Sequence, residues 1–205
     1  MIDFGGAPLG LVVLGRLRRA TMDQVVVANE SARRIRWPAQ VVADGPAYAG
    51  NGPLVGLLAG LTHCRQELAA VAACDMPYYP AALVRHMLSL AEDEGHDVVI
   101  PRHRLGLEPL CAVYRRGCAG PIEDSLARGQ HRFAALLPAL RVRYVEEAEL
   151  EPWGDRRWMF FNVNSAAELA AARRHSALER PGLGPEEEDD QQQGNHPRQQ
   201  QRRGV

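Results

Sequence analysis

At 205 residues, 46% of them hydrophobic, the chain is long enough for one domain with a full core. Its 24 basic residues nearly cancel 25 acidic ones, so no net field draws it to nucleic acid or to an anionic membrane, and any polyanion must be met locally. All the basic residues are arginine, and lysine is absent. The four cysteines, Cys64, Cys74, Cys111 and Cys118, show neither C-x-x-C spacing nor a Cys/His cluster, which argues against zinc and redox motifs and leaves them as buried, reduced thiols. No apolar run reaches the roughly 18 residues of a membrane span, and Met1-Ile2-Asp3-Phe4-Gly5-Gly6 lacks a signal-peptide pattern, so a cytoplasmic location is expected.

Residues 9–19 carry Leu9, Val12, Val13, Leu14 and Leu17 at helical spacing. Gln24-Val25-Val26-Val27-Ala28 is a continuous β-branched run, the signature of a strand buried on both faces, with Asn29 at its carboxyl end. Gln40-Val41-Val42-Ala43 repeats the pattern and closes on Asp44, ahead of a Gly- and Pro-rich loop. An apolar helix over 54–64 follows, then a third strand, Leu68-Ala69-Ala70-Val71-Ala72-Ala73, leading into Cys74-Asp75-Met76-Pro77. The spacing predicts an amphipathic helix over 80–94, strands at 98–100 and 110–114, a helix over 121–128, and a strand at 142–145. Ser165-Ala166-Ala167-Glu168 is a capping box opening a last helix to about His175. From Pro181 onward Pro, Gly, Gln and an acidic block replace the apolar residues a core requires, so a domain at 1–178 and a disordered tail at 179–205 are expected.

Strands alternating with helices specify an α/β fold, expected to be Rossmann-like and doubly wound, with a mostly parallel sheet and helices on both faces. Ligands of such folds bind at the carboxyl ends of the strands, where Asn29, Asp44 and Asp75 stand. A lone carboxylate at a strand end, such as Asp75, suits a hard cation bridging a nucleotide's phosphates, magnesium best of all, although it could equally cap the helix that follows. Gly50-Asn51-Gly52-Pro53 puts flexible backbone ahead of a helix, as a close ligand approach or merely a tight connection requires. In Phe161-Asn162-Val163-Asn164-Ser165 two amides alternate along an extended segment and so share a side, fit to meet a polar ring, while Asn164 alone reads as part of the cap. The seven histidines are scattered without i, i+4 pairing or a nucleophile motif, and none is assigned a catalytic role.

Taken together, the segments Ile2-Asp3-Phe4-Gly5-Gly6-Ala7-Pro8-Leu9, Val25-Val26-Val27-Ala28-Asn29, Gly52-Pro53-Leu54-Val55-Gly56, Cys74-Asp75-Met76-Pro77, Glu108-Pro109-Leu110-Cys111-Ala112-Val113-Tyr114 and Phe161-Asn162-Val163-Asn164-Ser165 resemble, in content and order, the molybdenum cofactor guanylyltransferase family. The resemblance implies transfer of GMP from GTP to molybdenum-molybdopterin. It also implies magnesium on Asp75, nucleotide contacts from Asn29, Asp44 and the Gly52-Pro53 loop, and a pterin side lined by Pro109, Asn162 and Asn164. Molybdoenzymes or cofactor chaperones would be the protein partners. Family members open with a strand, a loop of the type L-A-G-G-x-S-x-R-M-G and a Lys, ahead of the segment that here begins at Met1. A reading frame starting upstream is therefore expected. Without that segment the first strand is missing, the strands ending at Asn29 and Asp75 face an open slot, and losing even about 4 kcal/mol of charge stabilisation would cut turnover about a thousandfold. Two further readings are a cytidylyltransferase, or other small-substrate nucleotidyltransferase of the same fold, and a non-catalytic pterin-binding module.

Overall fold

The computed structural model describes residues 2–43, 52–93 and 95–178. In chain order they form α1 (Leu9–Leu17), β1 (Val25–Val27), β2 (Gln40–Val42), α2 (Pro53–His63), β3 (Leu68–Ala72), α3 (Ala81–Asp93), β4 (Val98–His103), β5 (Gly106–Leu107), β6 (Cys111–Arg115), α4 (Ala119–Ala127), α5 (Phe133–Leu136), β7 (Val142–Glu146), α6 (Glu147–Leu150), α7 (Arg156–Met159) and α8 (Ala166–Leu178). Every element expected from the periodicity is present, its ends shifted by a few residues, and the short β5, α5, α6 and α7 are additional. The acidic and glutamine-rich segment from 179 onward lies outside the described residues.

The expectation of a mostly parallel sheet is corrected. β6 lies between β3 and β4 and runs antiparallel to both, β5 forms a short antiparallel hairpin on the end of β4, and among the described residues only β4 with β7 and β1 with β2 pair in parallel. The chain leaves β3, crosses through α3 and enters β4 one position further on. β6 then returns through a hairpin and fills the vacant place. An apolar run such as Cys111-Ala112-Val113-Tyr114 records burial on both faces and says nothing of direction, so periodicity could not separate the two arrangements.

Alternation along these strands feeds two apolar layers. Val99, Cys111, Val113 and Val145 face α3, through Leu83, Val84 and Met87. Val98, Ile100, Ala112 and Tyr114 face α2 and α4, through Leu54, Leu57, Leu61, Ile122 and Leu126. Helices therefore cover both faces, as expected. A third cluster joins Phe4 and Leu9 to Tyr78, Val163 and Ala172, tying the start of the chain to α8.

β1 and β2 form a sheet of their own, not hydrogen-bonded to the larger one among the described residues. Between β1 and β3 lies a cavity of about 1300 Å³ lined by Val25, Val26 and Val27 on one side and by residues 68–75 on the other. All three β1 residues are consequently half-buried, which corrects the expectation of a strand buried on both faces. Gln66 Nε2 donates to Asp23 Oδ2 (3.3 Å) across the starts of the two strands. Near their far ends Gly10 of α1 lies between Trp37 and Cys74, where an added Cβ would stand 2.7 Å from Trp37 Cη2. Of the cysteines, Cys111 and Cys118 are buried as expected, but Cys64 is half-buried and Cys74 exposed, because both sit in connections beyond the ends of packed elements. Among the described residues no helix is long and apolar enough to cross a membrane.

Candidate active site

β3 ends at Ala72, and Asp75 stands in the turn just beyond it, not within the strand. That turn is fixed on both sides. The Ala73 N–H donates to the Leu110 carbonyl (2.9 Å), which docks it on the approach to β6, and the Asp75 carbonyl accepts the Val163 N–H (2.9 Å). Val163 itself is 1% exposed, whereas Asn162 is half-buried and Asn164 exposed. The two amides therefore alternate with an anchored apolar residue, as an extended segment requires, and the segment is hydrogen-bonded directly to the aspartate's own backbone.

Asp75 is half-buried, and its Oδ1 is sealed from solvent with no hydrogen-bond partner among the described residues. Burial pushes its carboxyl above the ordinary aspartate value, backbone hydrogen bonding opposes this, and the negative charge of Glu168 adds to the rise. Glu168 is held ionised at the start of α8. Its Oε2 accepts the Asn164 N–H (2.9 Å) and the Ser165 hydroxyl (2.9 Å), which lower its own pKa, and its N–H donates to Ser165 Oγ (3.2 Å). The capping box read from the sequence is thus present, and it sets a fixed negative charge within reach of Asp75. That electrostatic link escaped the sequence, because a capping-box glutamate serves its helix equally well anywhere.

The other expected residues are placed unevenly. Gly52 has φ +85°, a conformation that only glycine adopts without strain, and Pro53 is the first residue of α2. Pro53 lines the same cavity as Cys74 and Asp75. Asn29 is exposed two residues past β1 and does not line that cavity; its Oδ1 accepts the Ser31 hydroxyl (2.9 Å) and the Ala32 N–H (3.0 Å), so it ties the chain at the entry to the short helical turn at 32–34. Only its amide nitrogen is left for a ligand. Pro109 is half-buried, and its carbonyl accepts the Tyr114 hydroxyl (2.8 Å). Asp44, like Gly50 and Asn51, lies outside the described residues. Among the described residues no group of three metal-binding side chains converges, so a cation at Asp75 would draw its remaining ligands from substrate, amide or water oxygens.

This arrangement has relatives. The MobA-like NTP transferase domain matches residues 1–144. A probable molybdenum cofactor guanylyltransferase of Pelotomaculum thermopropionicum is 36% identical over 182 residues, covering 89% of this chain and 87% of that protein. A molybdenum cofactor guanylyltransferase of Desulfosudis oleivorans is 37% identical over 73% of each chain. Among solved structures, molybdopterin-guanine dinucleotide biosynthesis protein A from Archaeoglobus fulgidus superposes with a TM-score of 0.72 at 26% identity, over 86% of this chain and 89% of that one. A 2-C-methyl-D-erythritol 4-phosphate cytidylyltransferase from Thermus thermophilus, 15% identical with a TM-score of 0.64 over 85% of this chain and 91% of that one, shares the fold. The chain is a nucleotidyltransferase and belongs to the MobA-like, molybdenum cofactor guanylyltransferase family.

Proposed function

We propose that the chain transfers GMP from GTP to molybdenum-molybdopterin, in the cytoplasm, yielding the guanine dinucleotide form of the cofactor and pyrophosphate. In this step a terminal phosphate oxygen of the pterin forms a bond to the α-phosphorus of GTP, and the bond from that phosphorus to the bridging oxygen breaks. Pyrophosphate carries the electron pair away. The observation that carries the reading is the buried, unpartnered Oδ1 of Asp75 at the carboxyl end of β3.

A desolvated carboxylate oxygen without a donor fits a divalent cation, and the raised pKa of Asp75 is the expected state of such a ligand before the cation arrives. Asp75 would hold magnesium, whose charge would neutralise the phosphates. The protein's remaining task is positioning. Gly52 and Pro53 turn the chain into α2 beside the cavity and would border the nucleotide, with Asn29 and Asp44 contributing polar contacts. Asn162 and Asn164, fixed through Val163 to the same turn, would border the pterin together with Pro109.

The test is chromatographic detection of the guanine dinucleotide from GTP, magnesium and molybdenum-molybdopterin, for the native chain and Asp75→Asn. A loss of about a hundredfold or more is expected in the variant, the scale of removing one principal charge-stabilising group. Equal turnover by the variant, or a preference for CTP, would overturn the assignment.

A further inference from the structure

Next to Pro109, on the approach to β6, stands a second carboxylate, Glu108, which the reaction as described does not use. The β3–β6 register pairs Ala72 with Cys111, and the Ala73 N–H to Leu110 carbonyl bond continues it one step. Glu108 opens the turn that leads into β6, and the negative charges of both Glu108 and Asp75 bear on the buried Cys111 thiol. Glu108 is pinned along its whole length. Its N–H donates to the Pro101 carbonyl (3.1 Å), its carbonyl accepts the Cys111 N–H (2.9 Å), and its Oε1 lies 2.8 Å from His103 Nε2.

His103 is fixed as firmly. The Leu105 N–H donates to its Nδ1 (3.3 Å), so Nε2 carries the proton given to Glu108. Its ring lies flat against Phe160, 5.3 Å between centroids with 8° between planes, and Phe160 stands just ahead of Asn162. The side chains of His103 and Glu108 are only 10% and 20% exposed. Other carboxylates of this region are neutralised by arginine: Glu146 by Arg102, Glu147 by Arg156 and Glu149 by Arg143. Glu108 has no arginine partner among the described residues, and its Oε2 has no hydrogen-bond donor there. A half-buried carboxylate held rigid by a single imidazole N–H, with lone pairs to spare, is built to accept further donors.

We infer that Glu108, oriented by His103, recognises the ring of the acceptor substrate. The chemistry it fits is a heterocycle that presents a ring N–H beside an exocyclic amine, two parallel donors that match a carboxylate edge-on. Glu108 is a specificity-determining residue and His103 a positioning residue acting through it. This rests on the reading above, in which the pterin lies on the side of Pro109, Asn162 and Asn164.

The experiment is a fluorescence titration of the chain with 6-hydroxymethylpterin and with 6-hydroxymethyl-lumazine, in which a carbonyl replaces the 2-amino group. The native chain should prefer the pterin by about tenfold or more, because the lumazine sets an acceptor against the carboxylate. Glu108→Gln should lose about tenfold in pterin affinity and most of that preference, while His103→Ala, which frees the carboxylate to turn, should lose a smaller part of both. Melting temperatures of the two variants report separately on the fold. An unchanged pterin-to-lumazine ratio in Glu108→Gln would overturn the inference alone, leaving the pair as a clasp on the β4–β5 hairpin. Failure of the native chain to bind the pterin at all would overturn the pterin-side reading, and the inference with it.

Discussion

Asp75 carries opposite consequences for stability and for chemistry. Its carboxyl is raised by burial, so the folded state holds its proton more tightly than the unfolded state does. The stability linked to this group is therefore greatest at low pH and falls as pH rises from the ordinary value of 3.8 through the folded value. At neutral pH and without divalent ions, Asp75→Asn should melt somewhat higher than the native chain, by an amount that solvent screening of this half-buried group keeps small, while losing about a hundredfold or more in turnover. Magnesium should raise the native melting temperature and leave that of the variant unmoved; a variant no more stable than the parent would show that burial does not strain the carboxylate. Gly52→Ala should cost about 1 kcal/mol through backbone strain alone, since a Cβ at that position meets no atom within 4 Å. Both residues were legible in the sequence because their neighbours declare the geometry: Pro77 after Asp75, Pro53 after Gly52. Asn29 was less legible, since the same side chain can serve a local turn or a ligand. The pairing of His103 with Glu108 was hidden altogether, because it exists only once the β4–β5 hairpin has folded between them.

The start of α8 joins local helix chemistry to the site. Ser165 and Glu168 satisfy amides at the helix entry, and the same glutamate holds the Asn164 N–H beside the turn of Asp75. Ser165→Ala should cost about 1 kcal/mol in chemical denaturation and loosen residues 162–164, seen as a rise in KM for the pterin substrate larger than that for GTP. Equal rises would separate the cap from the pterin side. At the entry to β4, Asp97 accepts hydrogen bonds from the Arg141 backbone (2.9 Å) and guanidinium (3.1 Å), which hold its carboxyl below the ordinary value. A lowered acid contributes stability above its unfolded value and loses it as pH falls through the folded one. Asp97→Asn should therefore cost about 1 kcal/mol at neutral pH, discounted for the exposed Arg141, with the deficit shrinking as the pH drops below 3.8. Strand and helix positions were readable from periodicity, because burial of one or both faces is written in side-chain type. The direction of β6 was not, because pairing depends on where a hairpin returns the chain.

The molecule is two sheets held together by helices. A two-stranded sheet has little independent stability, so β1 and β2 depend on their packing, including Val27 beside Gly60 of α2, where an added Cβ would stand 3.6 Å from Val27 Cγ2, and Gly10 of α1 between Trp37 and Cys74. The five-stranded sheet, with Cys111 to Tyr114 of β6 and the first part of β4 buried, needs no such support. Opening of the β1–β2 unit should therefore precede global unfolding. Native-state hydrogen exchange should find the amides of Val25, Val26 and Val27 protected by at least about 2 kcal/mol less than those of Val98, Val99 and Ile100. Equal protection would mean that the helices alone weld the sheets into one cooperative unit. The cavity that separates them runs to Cys74 and Asp75, so a nucleotide held at that end from both sides would have to bridge the two units. GTP with magnesium should then slow exchange in β1 together with the turn at 73–76 by mass action on the closed form. Slowing at the turn alone would place the nucleotide entirely on the larger sheet and release Asn29 from its assignment.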